Sequence, residues 1–155
     1  MILDLKSRGV DIHGLGYQGH FFIDEPAFDS IERVFIKSKN VNIPVHVTEL
    51  DVSVLPNGWK HRTASVEERF KLSAKYNPYP KGAPEEVLEH QAKRYADIFK
   101  IFVSYNDIIE RVTFWGVWDG NSWRDYRPML GRTDYPLLIG REFEKKPLTQ
   151  KPFIL

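Results

Sequence analysis

Residues 45–54 read VHVTELDVSV, and the reading of this run decides the fold. Val45, Val47 and Val52 are residues that favour strands, and apolar and polar positions alternate with a strand's period of two. On strict alternation Val45, Val47, Glu49 and Asp51 share one face. The strand has the composition of a buried element, yet that face carries two acids at its C-terminal end.

The flanks say what kind of sheet such a strand belongs to. Upstream, DEPAFDSIERVFIKSKN (24–40) places Phe28, Ile31, Val34 and Phe35 on one helical face, with Asp24 as the expected cap and Pro26 in the first turn. Downstream, PEEVLEHQAKRYADIFKIFVSY (84–105) begins with Pro84 and two glutamates, and carries a stripe of Leu88, Gln91, Tyr95, Ile98, Phe99 and Phe102. Beyond these helices lie two further strand patterns. VDIHGLGYQGH (10–20) has glycines where backbone or a ligand approaches closely, and RVTFWGVWD (111–119) is rich in β-formers. Residues 53–84, with LPNGW and YNPYPKGAP, read as irregular, and the segment after the third strand reads as a Pro- and Gly-punctuated tail.

Helix and strand therefore alternate, which implies parallel strands joined by helical crossovers. Three parallel strands leave both edges open. The expectation is a small open α/β sheet or part of a larger closed barrel. ILDLKSRG (2–9) reads as an amphipathic helix stopped by Gly9 and opening without a cap, and this favours a piece of something longer.

The bulk composition is that of a globular domain. With 155 residues, 42% hydrophobic and 28% charged, the chain can bury one sizeable core. Aromatics reach 14%, enough for a large core or for a surface on which flat apolar ligands stack. A net charge of +1 with no charged block gives no indication of a nucleic-acid or anionic-membrane partner. The sequence contains no cysteine, which excludes disulfides and thiolate metal sites. It has no apolar run near the roughly 20 residues of a membrane span, and its first residues lack the pattern of a signal peptide.

Polar residues gather late in each strand. Gly14, Gly16, Gln18 and His20 share a face of the first, Glu49 and Asp51 close the second, and Thr113, Trp115, Val117 and Asp119 share a face of the third. Active sites of α/β proteins are built at the C-terminal ends of parallel strands. Taken alone, His20 reads as a structural histidine and Trp115 as core, and it is their convergence with two acids that points to chemistry. No spacing signature makes His20, Glu49 and Asp51 a metal site, and no cofactor is indicated.

GLGYQGH (14–20), VTELDV (47–52) and VTFWGVWDGNSW (112–123) resemble the last three barrel strands of glycoside hydrolase family 10, the retaining endo-β-1,4-xylanases, and GRTDYPLLIGREFEKKP (131–147) resembles the segment that closes that catalytic domain. The resemblance implies a partial (β/α)8 TIM barrel, with residues 1–155 supplying strands 6 to 8 and their helices and no second domain. By that resemblance Glu49 is the nucleophile, His20 the histidine bonded to it, and Asp51 the acid that holds the histidine. Gln18 is a polar contact near the sugar, Trp115 lines the subsite at the cleavage point, and Trp123 closes over it.

Retaining hydrolysis also needs a general acid/base roughly 5–5.5 Å from the nucleophile. The family places that acid in a Trp-…-Asn-Glu motif on its fourth strand, which these residues do not contain. Asp51 stands on the nucleophile's own strand and cannot reach the leaving oxygen from another wall, and Asp119 is a weak substitute. The expectation is a chain that carries the nucleophile of a xylan hydrolase and is nearly inactive by itself. The partners expected are xylan or xylo-oligosaccharides, with the N-terminal half of the barrel or a second copy covering the open edges. The alternatives are a non-catalytic carbohydrate-binding or half-barrel interaction module and a retaining β-1,4-glucanase. Since xylan is an extracellular polymer, the parent enzyme is expected to be secreted or periplasmic.

Overall fold

The computed structural model describes residues 2–61, 74–128 and 131–150. The middle of the irregular stretch 53–84 and the end of the tail lie outside the described residues.

Strand β3 (Val45–Ser53) is the centre of a four-stranded parallel sheet. Along one edge it pairs with β1 (Leu15–Tyr17) and then β2 (His20–Phe22); along the other it pairs with β4 (Ile109–Phe114). Helix α2 (Phe28–Asn40) precedes β3 and α3 (Glu85–Ser104) follows it, so the alternation expected from sequence is present as parallel strands with helical crossovers. Two short helices, α1 (Ile2–Ser7) and α4 (Pro147–Gln150), lie near the ends of the chain.

Both crossover helices bury their apolar faces against one side of the sheet. Ile31 and Phe35 of α2 and Tyr95, Ile98 and Phe102 of α3 form one core with Val45, Val47, Leu50 and Val52. Tyr17 packs edge-on against Phe35 with ring centroids 6.0 Å apart. The opposite face is polar and open. Gly16, Arg111 and Thr113 are exposed there, and His46, half-buried, bonds Glu110 at 2.9 Å and Arg111 at 3.3 Å. Parallel sheets are ordinarily covered on both faces, whereas this one has one covered face and one open face.

Three local expectations need correction. Strict alternation along β3 fails: between Tyr17–Val47 and His20–Asp51 the first strand advances three residues while β3 advances four. Between Val47–Val112 and Leu50–Phe114, β4 advances two while β3 advances three. One extra residue is thus accommodated in β3 against both neighbours, a bulge that exchanges its two faces. Val45 and Val47 face the helices together with Leu50 and Val52, and Glu49 and Asp51 face the other way.

The first strand is not continuous either. Gly19 sits at φ +82, and a Cβ there would come 3.1 Å from Val47, so the strand breaks into β1 and β2 at a position only glycine fills easily. Asp24 does not cap α2: its carboxylate faces His90 at 3.5 Å, and the helix opens at Ala27, whose carbonyl takes the first amides. Helix α1 and its stop at Gly9 (φ +77) are as expected, but none of its residues is buried.

The tail is far from irregular packing material. The Pro136 carbonyl accepts from Val52 N–H at 3.2 Å and from the Tyr95 hydroxyl at 2.6 Å, and Gln91 binds the carbonyls of Val52 and Tyr135 at 2.7 and 2.6 Å. Residues 134–139 therefore run across the sheet's C-terminal end and finish it. Among the described residues no helix is long and apolar enough to cross a membrane.

Candidate active site

The bulge turns Glu49 and Asp51 to the same side, where β2 brings His20. His20 Nε2 lies 3.0 Å from Glu49 Oε2, and His20 Nδ1 lies 3.0 Å from Asp51 Oδ1. Carboxylates only accept, so a ring nitrogen that carries a proton donates to the acid it faces. Glu49 is further placed by its backbone, whose N–H donates to the Gln18 carbonyl at 2.8 Å, and by the Gln18 amide, 3.5 Å from Oε1. The side chain of Glu49 is 21% exposed and that of His20 19%, so both remain within reach of a ligand.

Asp51 differs in kind, being wholly buried. Oδ1 accepts from Arg124 Nη2 at 2.6 Å and Nε at 3.0 Å as well as from His20, and Oδ2 accepts from the Trp123 indole N–H at 2.8 Å. Burial alone would raise its pKa, but the bonds from His20 and Arg124 outweigh it and hold the carboxyl below its ordinary range. Arg124, itself buried, supplies the counter-charge to Asp51.

Aromatic rings wall this cluster. Trp123 lies tilted against His20 at 4.7 Å, and Trp115 meets the same ring edge-on at 6.4 Å. Trp115 follows β4 directly and is 46% exposed. After it, Gly116 turns the chain at φ +141, where a Cβ would fall 2.8 Å from Leu137. Trp59, from the loop after β3, stands 6.3 Å from Trp123 on a shared wall.

All six residues expected at the site (Gln18, His20, Glu49, Asp51, Trp115 and Trp123) come together. Trp123 is tied by its N–H into the support of Asp51, and in this geometry it is a wall rather than a free lid. The expected face of β4 does not continue to Asp119. The turn at Gly116 carries Asp119 into a separate buried pocket, where Leu137 N–H donates to it at 2.7 Å and Lys146 Nζ at 3.1 Å. Both of its oxygens are thereby occupied and it is fully buried, which removes it as a substitute acid. Sequence reasoning also missed Arg124 and Trp59. A cation next to the tryptophan in NSWRD was the available sign of the first, while Trp59 sat in a stretch read as plain loop. Among the described residues no group of three or more acids and histidines is arranged to hold a metal ion.

Comparison with known proteins gives a consistent picture. The family described as Glycosyl hydrolase family 10 matches residues 1–152. An endo-1,4-β-xylanase of Geobacillus stearothermophilus is 33% identical over 147 residues, covering 95% of this chain and 40% of its own length. A solved family 10 endoxylanase retrieved from a sugarcane soil metagenome superposes with a TM-score of 0.87 at 45% identity, over 97% of this chain and 44% of the other. A mutant structure in complex with xylotriose superposes at 0.79 with 31% identity, covering 99% and 42%. The chain thus spans about two fifths of the length of these relatives.

Proposed function

The chain belongs to glycosyl hydrolase family 10, a family of (β/α)8 barrels of which these residues form a part, and from that premise we propose that it carries the nucleophile side of a retaining endo-β-1,4-xylanase site. The observation that carries this reading is the 3.0 Å contact of His20 Nε2 with one oxygen of Glu49, backed by Asp51 on the other ring nitrogen.

That contact divides the labour between the two oxygens of Glu49. Oε2 is held by His20, and Oε1, with only the long contact to Gln18, is free to attack the anomeric carbon. Attack forms an ester between Oε1 and the sugar while the glycosidic C–O bond breaks, and water later releases the sugar. Trp115 and Trp123 offer indole surface to the apolar face of a pyranose. Gln18 is placed to bond a sugar hydroxyl beside the nucleophile.

The second carboxyl of the retaining pair is not supplied by Asp51 or Asp119, whose oxygens are all engaged. The 155 residues by themselves therefore hydrolyse xylan very slowly. In the whole enzyme the acid/base comes from the complementary part of the barrel, whose strands cover the open polar face, with residues 1–155 as the C-terminal portion of one catalytic domain. The substrate is an extracellular polymer, so the enzyme works outside the cytoplasm.

An aryl β-xylobioside whose phenolate departs without protonation isolates the nucleophile from the missing acid. It should add one xylobiosyl group to Glu49 of the purified chain, read by mass spectrometry, with phenolate released in equal amount. Glu49→Gln should abolish the adduct. An adduct that survives in Glu49→Gln refutes the assignment, and rapid hydrolysis of xylan by the chain refutes the incomplete pair. The exposure of Trp115 favours one second reading, a non-catalytic xylan-binding module. That reading requires xylo-oligosaccharide binding unchanged in Glu49→Ala and no adduct in the native chain.

A further inference from the structure

The relay from Asp51 through His20 to Glu49 is only as well fixed as Asp51. That residue is held by a distant part of the chain. Trp123 and Arg124 belong to one 3-10 turn, Trp123–Asp125, beyond β4. Arg124 places Nη2 and Nε on Asp51 Oδ1 at 2.6 and 3.0 Å, and Nη2 also donates to the Phe21 carbonyl at 3.1 Å. Phe21 adjoins His20 in β2, so a single guanidinium grips both strands of the relay: the carboxylate on β3 and the backbone beside the histidine on β2.

The guanidinium itself is fixed from both sides. Its carbon lies 5.0 Å from the Phe22 ring and 5.3 Å from the Trp123 ring, and the side chain is 3% exposed. It therefore does not touch a sugar. Any effect on the reaction must pass through Asp51 and β2. Oδ1 takes Arg124 and His20 from different directions while Trp123 takes Oδ2, which leaves the carboxylate plane no freedom to rotate. A planar fork of donors is needed to reach one oxygen with two N–H groups and a carbonyl besides, and an ammonium supplies the charge without the fork.

We propose that Arg124 is a positioning residue of the site, setting through Asp51 and the Phe21 backbone the plane of the His20 ring and hence the orientation of the Glu49 carboxylate. This rests on the reading of Glu49 as the nucleophile.

A purely structural ion pair would alter stability and nothing at His20, so the test reads both. Arg124→Lys and Arg124→Gln are made in the full chain and followed by urea unfolding, by proton–nitrogen spectra of the histidine rings, and by the rate of adduct formation on Glu49. In folded variants the His20 Nδ1–H signal should move and exchange faster with water, while the rings of His13, His46 and His90 stay in place. Adduct formation should slow by about 10²-fold, the scale of an ångström-level misplacement. Lysine should restore part of the stability but not the His20 signal. His20 signals that superpose on the native ones in a folded variant overturn the proposal. If neither variant folds, the native chain decides: a slowly exchanging proton on Nδ1 from mildly acidic to neutral pH upholds a clamped Asp51, and its absence overturns one. A native chain that forms no adduct counts against the nucleophile reading, and the ring spectra then decide by themselves whether Arg124 positions His20.

Discussion

Asp51 and Asp119 are both fully buried, and each faces a cation that is itself buried, Arg124 in one case and Lys146 in the other. Their protons nevertheless behave oppositely. Asp51 is held below its ordinary range, whereas burial pushes Asp119 up to about 6 despite Lys146. The difference lies in the donors. Asp51 accepts from two guanidinium N–H groups, an imidazole and an indole. Asp119 accepts from one ammonium and one backbone amide, and that ammonium is divided with the carbonyls of Tyr135 and Leu137. Desolvation is severe in both places, and only the better-served carboxylate overcomes it. The first is bonded to the histidine that meets Glu49, and the second ties the segment after β4 to the end of the sheet.

The largest expected effect comes from deleting the better-served partner. Asp51→Ala strands Arg124 without a counter-charge and removes the anchor of His20, a loss of roughly 3–5 kcal/mol. Asp119→Ala should cost clearly less, since Lys146 keeps its two carbonyl acceptors and its own pKa is already lowered by burial. Urea unfolding at neutral pH measures both. Equal losses would mean that donor number does not separate the two sites.

The pH dependence of stability should separate them by sign. Asp51, with its folded pKa depressed, stabilises the chain above its ordinary value of 3.8, and that contribution disappears as pH falls through the folded value. Asp119, raised from 3.8 to about 6, keeps its proton longer when folded, so its contribution is greatest below 3.8 and declines as pH rises through 6. The stability difference between native chain and Asp119→Asn should therefore fall across that window by roughly 3 kcal/mol, while the difference for Asp51→Asn rises with pH on the acid side. Slopes of the same sign would break the comparison.

Neither half of this contrast was readable as such in the sequence, and the reasons differ. The strand at 45–54, the helical stripes at 28–35 and 88–102 and the parallel alternation follow from periodicity, which survives folding because the helices cover one whole face. Parity also put Glu49 and Asp51 on a common side. It put them on the wrong one relative to Val45 and Val47, because the bulge adds one residue without altering composition. His20, Glu49 and Asp51 were joined by family resemblance rather than by any local pattern, since their contacts span 29 and 31 residues. The tryptophan beside Arg124 was its one local sign; the burial of the arginine depends on a carboxylate 73 positions away. The same holds for Asp119, whose cation arrives from the tail 27 residues later.

Trp123→Phe makes the smallest change and the finest test of donor counting. It keeps most of the ring against His20 and removes one N–H from Asp51 Oδ2, leaving Arg124 and His20 on Oδ1. Loss of one hydrogen bond to a charged group in a half-buried setting should cost about 1.5 kcal/mol. The folded pKa of Asp51 should rise toward its ordinary value yet stay below that of Asp119, because three of the donor contacts remain. The acid side of the stability curve then becomes shallower without changing sign. A curve identical to the native one would assign the whole depression to His20 and Arg124. The contrast with Asp119, which also faces a buried cation, would then rest on the imidazole contact at 3.0 Å and on the closer approach of the guanidinium, 2.6 Å against 3.1 Å for the ammonium.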